Sequence, residues 1–284
     1  MKIWVTGANG QLGQCFKQLS ESETSYQFVF TNSQQVNITD YATVKAFIAQ
    51  QQPQAIINCA AYTKVDAAEQ NPEICFKVNL EAVENLAQYC KQNSILLIHY
   101  STDYVFNGQQ TSPYLETDAT NPLNVYAASK AAGEAAILKI NPNAVIIRTS
   151  WVFSHYGHNF VKTILRLATQ KTELNIVADQ ISCPTYALDL AVASLTILEN
   201  KTKTSGTEII NYTNSGQASW YDFAKEIVHQ SGMQCQVNPI PTEAYPLPAQ
   251  RPQYSLLSIK KFTAKFYSPQ TWQNALSRCL ANLY

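Results

Sequence analysis

Two short segments at the ends of residues 101–130 carry side chains that can move a proton. Ser101-Thr102-Asp103 closes an apolar run at 95–100, and Tyr126-Ala127-Ala128-Ser129-Lys130 follows a polar loop. If the second segment is helical, Tyr126 and Lys130 lie on one face, because residues four apart are neighbours on a helix. A phenol beside an ammonium is expected to be a stronger acid, since the charge favours the phenolate and lowers a pKa that starts near 10. A hydroxyl from Thr102 would complete a polar pocket. With 16 tyrosines and 16 lysines in 284 residues, Tyr-x-x-x-Lys arises by chance about once. It occurs at Tyr41/Lys45, Tyr126/Lys130 and Tyr221/Lys225. The first and third fit ordinary surface helices, and only the second follows a buried-looking strand that ends in Ser-Thr-Asp.

The elements that must position these groups begin at the amino terminus. An apolar run at 2–6 breaks at Gly7-Ala8-Asn9-Gly10-Gln11-Leu12-Gly13, which uses three of only nine glycines in the chain. A helix is expected over 14–20. Strand, glycine turn and helix bring backbone N–H groups and a helix N-terminus up to a phosphate; a plain glycine-rich cap is the alternative. The second strand, 26–30, runs out at Thr31-Asn32-Ser33 with neither an acidic residue nor an arginine. NADPH and NADH are therefore both left open. A helix capped by Thr39-Asp40 leads to a third strand at 55–59, whose carboxyl end, residues 60–66, is where open α/β sheets bind ligands. Asn71-Pro72 opens the next helix, and within it Asn79 is not singled out by spacing. A fourth strand delivers Ser101-Thr102-Asp103 and a fifth covers 144–148. The 22-residue gap at 104–125 is expected to be a lid or binding loop.

Alternating strands and helices predict a parallel sheet covered on both faces. Beyond residue 148 the pattern changes. Helices are expected at 159–170 and 188–199, with a strand at 174–177 and a turn at Ser182-Cys183-Pro184-Thr185. A sixth strand at about 208–212 returns to the sheet, followed by a helix from Ser219, a strand at 236–237, a proline-rich run at 239–252 and a last helix around Trp272. The fold class is α/β, a Rossmann-type doubly wound parallel sheet. Residues 1–150 form its NAD(P)-binding part, completed by about 207–212, and residues 151–284 a smaller, interleaved, mainly substrate-binding region.

Composition narrows the partners. Twenty basic residues balance twenty acidic ones, and no basic run or cationic amphipathic helix argues for nucleic acid or a membrane surface. No apolar segment approaches the length of a membrane span, and Met1-Lys2 leads straight into a strand, so a cytoplasmic protein is expected. Seven scattered cysteines without C-x-x-C spacing read as buried free thiols, and a zinc site is not expected.

Taken together, the glycine turn, Ser101-Thr102-Asp103-Tyr104-Val105-Phe106 and Tyr126-x-x-x-Lys130 resemble the extended short-chain dehydrogenases/reductases. Longer stretches narrow the likeness to the dTDP-4-dehydrorhamnose reductase family. They are 58–66 with Glu69, 116–126, Arg148-Thr149-Ser150-Trp151-Val152-Phe153, 159–168, Asp179-Gln180 with Pro184-Thr185, and Arg251-Pro252. The resemblance implies reduction of a nucleotide-linked 4-keto sugar with NADPH, with NADH not excluded. It implies Tyr126 as general acid, Lys130 on the nicotinamide ribose and Thr102 on the carbonyl oxygen. Gly7, Gly10, Gln11, Leu12 and Gly13 would hold the pyrophosphate, and Ala60, Ala61 and Tyr62 would wall the cofactor, with Asn79 a further family position. Thr63, Val65, Asp103, Tyr104 and Trp151 would line the sugar pocket, although Trp151 is also open to an ordinary core role.

Two positions depart from the family pattern. Asn37 stands where Asp is usual, which would alter a polar contact near the adenine side. Cys15 stands where some relatives carry a glutamate that joins a dimer through Mg²⁺, and a thiol is a poor ligand for a hard ion. No metal is therefore expected, and a monomer or weak homodimer is. Two rival readings stay open: an epimerase or dehydratase on the same scaffold, and a non-catalytic NADP-binding regulatory subunit.

Overall fold

In the computed structural model, which describes residues 1–201 and 205–283, the apolar runs pair into a six-stranded sheet. Its first five strands are β1 (Lys2–Thr6), β2 (Gln27–Phe30), β3 (Ala55–Asn58), β4 (Leu96–Thr102) and β5 (Ala144–Thr149). The sixth is Thr207–Asn211, and it pairs parallel with β5 from Thr207 opposite Ala144 to Asn211 opposite Arg148. Across the sheet the order is Thr207–Asn211, β5, β4, β3, β1, β2, and every pairing is parallel. The chain leaves β1 toward β2 and returns past it to β3, so the strand order reverses between β1 and β3. At such a reversal the loops of neighbouring strands part and leave a crevice at their carboxyl ends.

Alternation along each strand builds two cores. Ile3, Val5, Ile57, Ile98, Val145 and Ile147 face Phe16 and the Ala187–Lys201 helix. Trp4, Ile56, Leu97 and Ile146 face Val44, Val83, Leu86 and Ile137. Burial on both faces explains why these strands read as continuous apolar runs. A third cluster, around Phe153, Tyr186, Phe223 and Trp272, lies in the carboxyl-terminal half.

Several boundaries differ from expectation. The first helix starts at Gln11, immediately after Gly10, and not at 14, because Gln and Leu are themselves good helix formers and extend the helix back to the glycine. The helix opened by Pro72 is interrupted by a single π turn, Lys77–Glu81, before Ala82–Gln92. The strand near 236 runs over Gln236–Ile240 and pairs parallel with Glu173–Val177. No described helix is long and apolar enough to cross a membrane.

Candidate active site

The glycine turn is shaped by close approach. Gly7 has φ +62°, and a Cβ there would stand 2.7 Å from the Ala60 nitrogen. A Cβ on Gly13 would stand 2.5 Å from the Gly7 carbonyl oxygen. These glycines let β1, its turn and the end of β3 pack together as one surface. Gly10 is the N-cap of the Gln11–Ser20 helix, and no side chain caps it. The first N–H groups of a helix lack intrahelical partners, so Gln11, Leu12 and Gly13 present donors and the positive end of the dipole. That is the chemistry a pyrophosphate needs.

Beyond β3, Ala60, Ala61 and Tyr62 form a partly exposed wall, and Asn79 holds it. Asn79 is 1% exposed and sits in the π turn. Its Oδ1 accepts from the Tyr62 N–H at 2.9 Å, and its Nδ2 donates to the Tyr62 carbonyl at 3.0 Å and to Ser129 Oγ at 3.0 Å. The turn aims the amide where a regular helix would not, which is how π turns often serve sites. Gly133 lets the two helices touch, because a Cβ there would meet the Asn79 carbonyl oxygen.

Tyr126 and Lys130 do share one face of the Val125–Ile140 helix, whose N-cap Asn124 accepts from the Ala127 N–H. Glu69 takes the Val125 N–H at 2.8 Å, which ties this helix to Val65–Gln70. The other two tyrosine-lysine pairs lie on different helices. Tyr41 is exposed, and Lys225 rests over its own Tyr221 ring.

The charge relationship differs from expectation. Lys130 is buried, and its Nζ donates to the Tyr100 carbonyl at 2.6 Å and lies 3.3 Å from His99 Nε2. Its pKa is pulled down to about 8 by burial. Burial raises the Tyr126 phenol well above its ordinary value, while the Thr102 hydroxyl pulls the other way. The phenol therefore keeps its proton at neutral pH and stands ready as a donor.

Thr102 ends β4 beside it. Its Oγ1 donates to Asp103 Oδ1 at 3.1 Å and accepts from the Tyr104 N–H at 3.2 Å. Asp103, expected along the sugar pocket, is instead 2% exposed. Its other oxygen accepts from Ser182 and Ser255, so the carboxylate fastens the end of β4 to two segments of the carboxyl-terminal half. Tyr104 packs edge-on against Tyr126 with centroids 6.5 Å apart. Thr63 is exposed and Val65 partly so, the latter opening its helix.

Trp151 is partly exposed and packs against another indole. Its backbone has φ +44°, its ring stacks on Trp220 at 3.6 Å, and its Nε1–H is buried without a partner. A separate cavity of about 1020 Å³ is lined mainly by residues 107–111 and 245–251. Arg251 borders it and pairs with Asp66 at 2.6 Å.

At the departing positions, Asn37 Oδ1 accepts from the Thr39 N–H and hydroxyl, a contact a carboxylate would make equally well. Cys15 is fully buried, with its thiol pushed up to about 12 by desolvation. It does not fit a magnesium ligand. Sequence spacing did not reveal His99, Asn58, Thr6 or Ser129, although a histidine inside the apolar run of β4 was a visible signal.

The whole chain, residues 1–284, matches the family model described as RmlD substrate binding domain. It is similar to a dTDP-4-dehydrorhamnose reductase of Sinorhizobium fredii, with 40% identity over 273 residues, 94% of this chain and 92% of that one. Among solved structures it resembles a dTDP-4-dehydrorhamnose reductase from Clostridium acetobutylicum, at 36% identity and TM-score 0.94 over 100% of this chain and 99% of that one. A second, from Bacillus anthracis in complex with NADP, gives 36% identity and TM-score 0.92 over 99% of each chain.

Proposed function

The chain belongs to the dTDP-4-dehydrorhamnose reductase family, and from that premise we propose that it reduces the C4 ketone of dTDP-4-dehydro-L-rhamnose to dTDP-L-rhamnose. The observation that carries this reading is the placement of Tyr126 and Lys130 on one face of the Val125–Ile140 helix, with the Thr102 hydroxyl against the Tyr126 phenol at the carboxyl end of β4. NADPH, when bound, supplies the hydride. The chain's own residues bind, orient and protonate.

The uncapped N–H groups of Gln11, Leu12 and Gly13, with Gly7 and Gly10 keeping side chains away, hold the pyrophosphate. Ala60, Ala61 and Tyr62 wall the cofactor, and Asn79 fixes Tyr62. Lys130 has an N–H beyond the one it gives Tyr100, and it offers that donor to the nicotinamide ribose together with Tyr126. Thr102 turns its hydroxyl from Asp103 to the C4 oxygen, which gains charge as the ketone is reduced. Tyr126 then delivers its Oη proton to that oxygen. Thr63, Val65, Tyr104 and Trp151 border the sugar, with Asp103 acting from behind through Thr102. The cavity beside Arg251 has room for the nucleotide diphosphate. We read the enzyme as cytoplasmic and as a monomer or weak homodimer.

The test is loss of nicotinamide absorbance with NADPH and enzymatically prepared dTDP-4-dehydro-L-rhamnose. Wild-type protein turns over, and Tyr126→Phe lowers kcat by ~10² to 10⁴ while still binding NADPH. Wild-type protein that binds NADPH and leaves the absorbance flat would overturn the reductase reading.

A further inference from the structure

Lys130 heads a chain of four buried polar side chains, and the reaction uses none of the other three. His99, on β4, lies 3.3 Å from Lys130 through Nε2 and 3.1 Å from Asn58 Nδ2 through Nδ1. Asn58, at the end of β3, accepts at Oδ1 from the Thr6 hydroxyl of β1 at 2.6 Å. Thr6 Oγ1 in turn accepts from the Ala60 N–H at 3.1 Å, next to the cofactor wall. All four side chains are no more than 3% exposed, so each donor must meet an acceptor.

That requirement makes the chain directional. An ammonium has only donors, so a charged Lys130 needs a bare Nε2 on His99. The imidazole hydrogen then sits on Nδ1 and must find the oxygen of Asn58, whose amide nitrogen turns to Thr6. A neutral Lys130 amine instead accepts from Nε2–H. His99 Nδ1 is then bare and takes the amide nitrogen of Asn58, and Thr6 donates to the amide oxygen. The Asn58 amide in the structure, with Oδ1 toward Thr6 and Nδ2 toward His99, has the orientation of the second arrangement. A threonine hydroxyl both donates and accepts: in the second arrangement its hydrogen goes to Asn58, and in the first it accepts from the amide and its own hydrogen must turn to an acceptor outside the chain.

We propose that His99 is a positioning residue for Lys130: the Thr6–Asn58–His99 chain has two hydrogen-bonding directions, and its direction and the charge of Lys130 change together. His99 itself stays neutral, since burial and the neighbouring Lys130 hold its pKa well below the usual histidine range. The other groups facing this pair are few. Cys75 approaches Lys130 from the Pro72–Phe76 helix and Glu134 from its own helix, the latter paired with Arg148 of β5 at 2.6 Å. Tyr100 offers its carbonyl from β4, and Tyr126 stands one turn earlier on the helix.

The direct test is the tautomer of His99, read by nitrogen-15 NMR on histidine-labelled protein, with His99→Gln identifying its signal among the four histidines. As pH rises through about 8, where Lys130 loses its proton, the hydrogen should move from Nδ1 to Nε2. One unchanging tautomer across that range overturns the proposal, and no turnover is needed to see it. A second measurement rests on the catalytic role of Lys130. His99→Leu removes the acceptor for the ammonium, so the basic limb of kcat/KM, which reports the free enzyme, should move down by about one pH unit. His99→Gln, which keeps an oxygen acceptor, should restore it. A side chain that merely fills space would lower the unfolding midpoint and leave the limb in place. A correct tautomer switch in a protein that turns over no sugar would sink the reductase reading and spare this one.

Discussion

Asp103 is one side chain asked to do two things that conflict. It accepts hydrogen bonds from Thr102, Ser182 and Ser255, which favour the carboxylate, yet burial outweighs them and raises its pKa from 3.8 to about 6. Between those values the folded chain holds a proton that the unfolded chain has released. Stability therefore falls as pH rises from about 4 to about 6, by on the order of 3 kcal/mol. Asp103→Asn removes the titrating group and keeps an acceptor for the hydroxyls. Urea unfolding measured across that interval should show the slope in the wild type and lose it in the variant. An equal slope in both proteins would assign it to another group. The type and place of this residue were legible as part of Ser101-Thr102-Asp103, but its direction was not. The two serines that capture it come from positions 182 and 255, and nothing local to β4 announces them.

At the scale of elements, two helices cross so closely that only glycine fits. Gly133 meets the carbonyl of Asn79, a backbone atom in a π turn whose side chain is itself pinned to Tyr62 and Ser129. Gly133→Ala would gain about 1 kcal/mol of helix propensity and lose about 1 to 3 kcal/mol to overpacking. The obstacle is backbone and cannot rotate away, so we expect the loss to win. The unfolding midpoint should fall and NADPH should bind more weakly, because the Tyr62 wall moves with Asn79. A midpoint that stays or rises would show that the helices can part freely. The glycine turn after β1 was readable because strand, turn and helix are consecutive and each has its own residue signature. Asn79 was named only through the family resemblance and not by spacing, since its importance depends on a π turn that breaks the helical period and on a partner 17 residues away. The pairing of Gln236–Ile240 with Glu173–Val177 was hidden for a similar reason. It joins segments far apart in sequence, and Pro239 argues against a strand except at an edge.

The whole molecule is held across its site by a strap. Asp66 receives Arg251 through both carboxylate oxygens and the Ala249 N–H as well, while Asn124, at the head of the Tyr126 helix, donates to the Gln250 carbonyl at 2.8 Å. Four residues beyond Arg251, Ser255 reaches Asp103. Residues 249–255 thus bind the Val65–Gln70 helix, the acid-bearing helix and the end of β4 at once, and one edge of the strap borders the large cavity. The ion pair contributes little to global stability, because the Asp66 side chain is 38% exposed and such pairs are worth about 1 kcal/mol or less. Its effect should fall on binding, where the strap must be in place before the sugar nucleotide gains its contacts. Arg251→Ala should therefore raise the KM for the sugar nucleotide by about tenfold, the equivalent of roughly 1.4 kcal/mol, with NADPH affinity and the unfolding midpoint nearly unchanged. Steady-state kinetics beside urea unfolding separates the cases. A lower midpoint with an unaltered KM would make the strap a structural tie only, and an unaltered value of both would leave Arg251 without a part in closing the site.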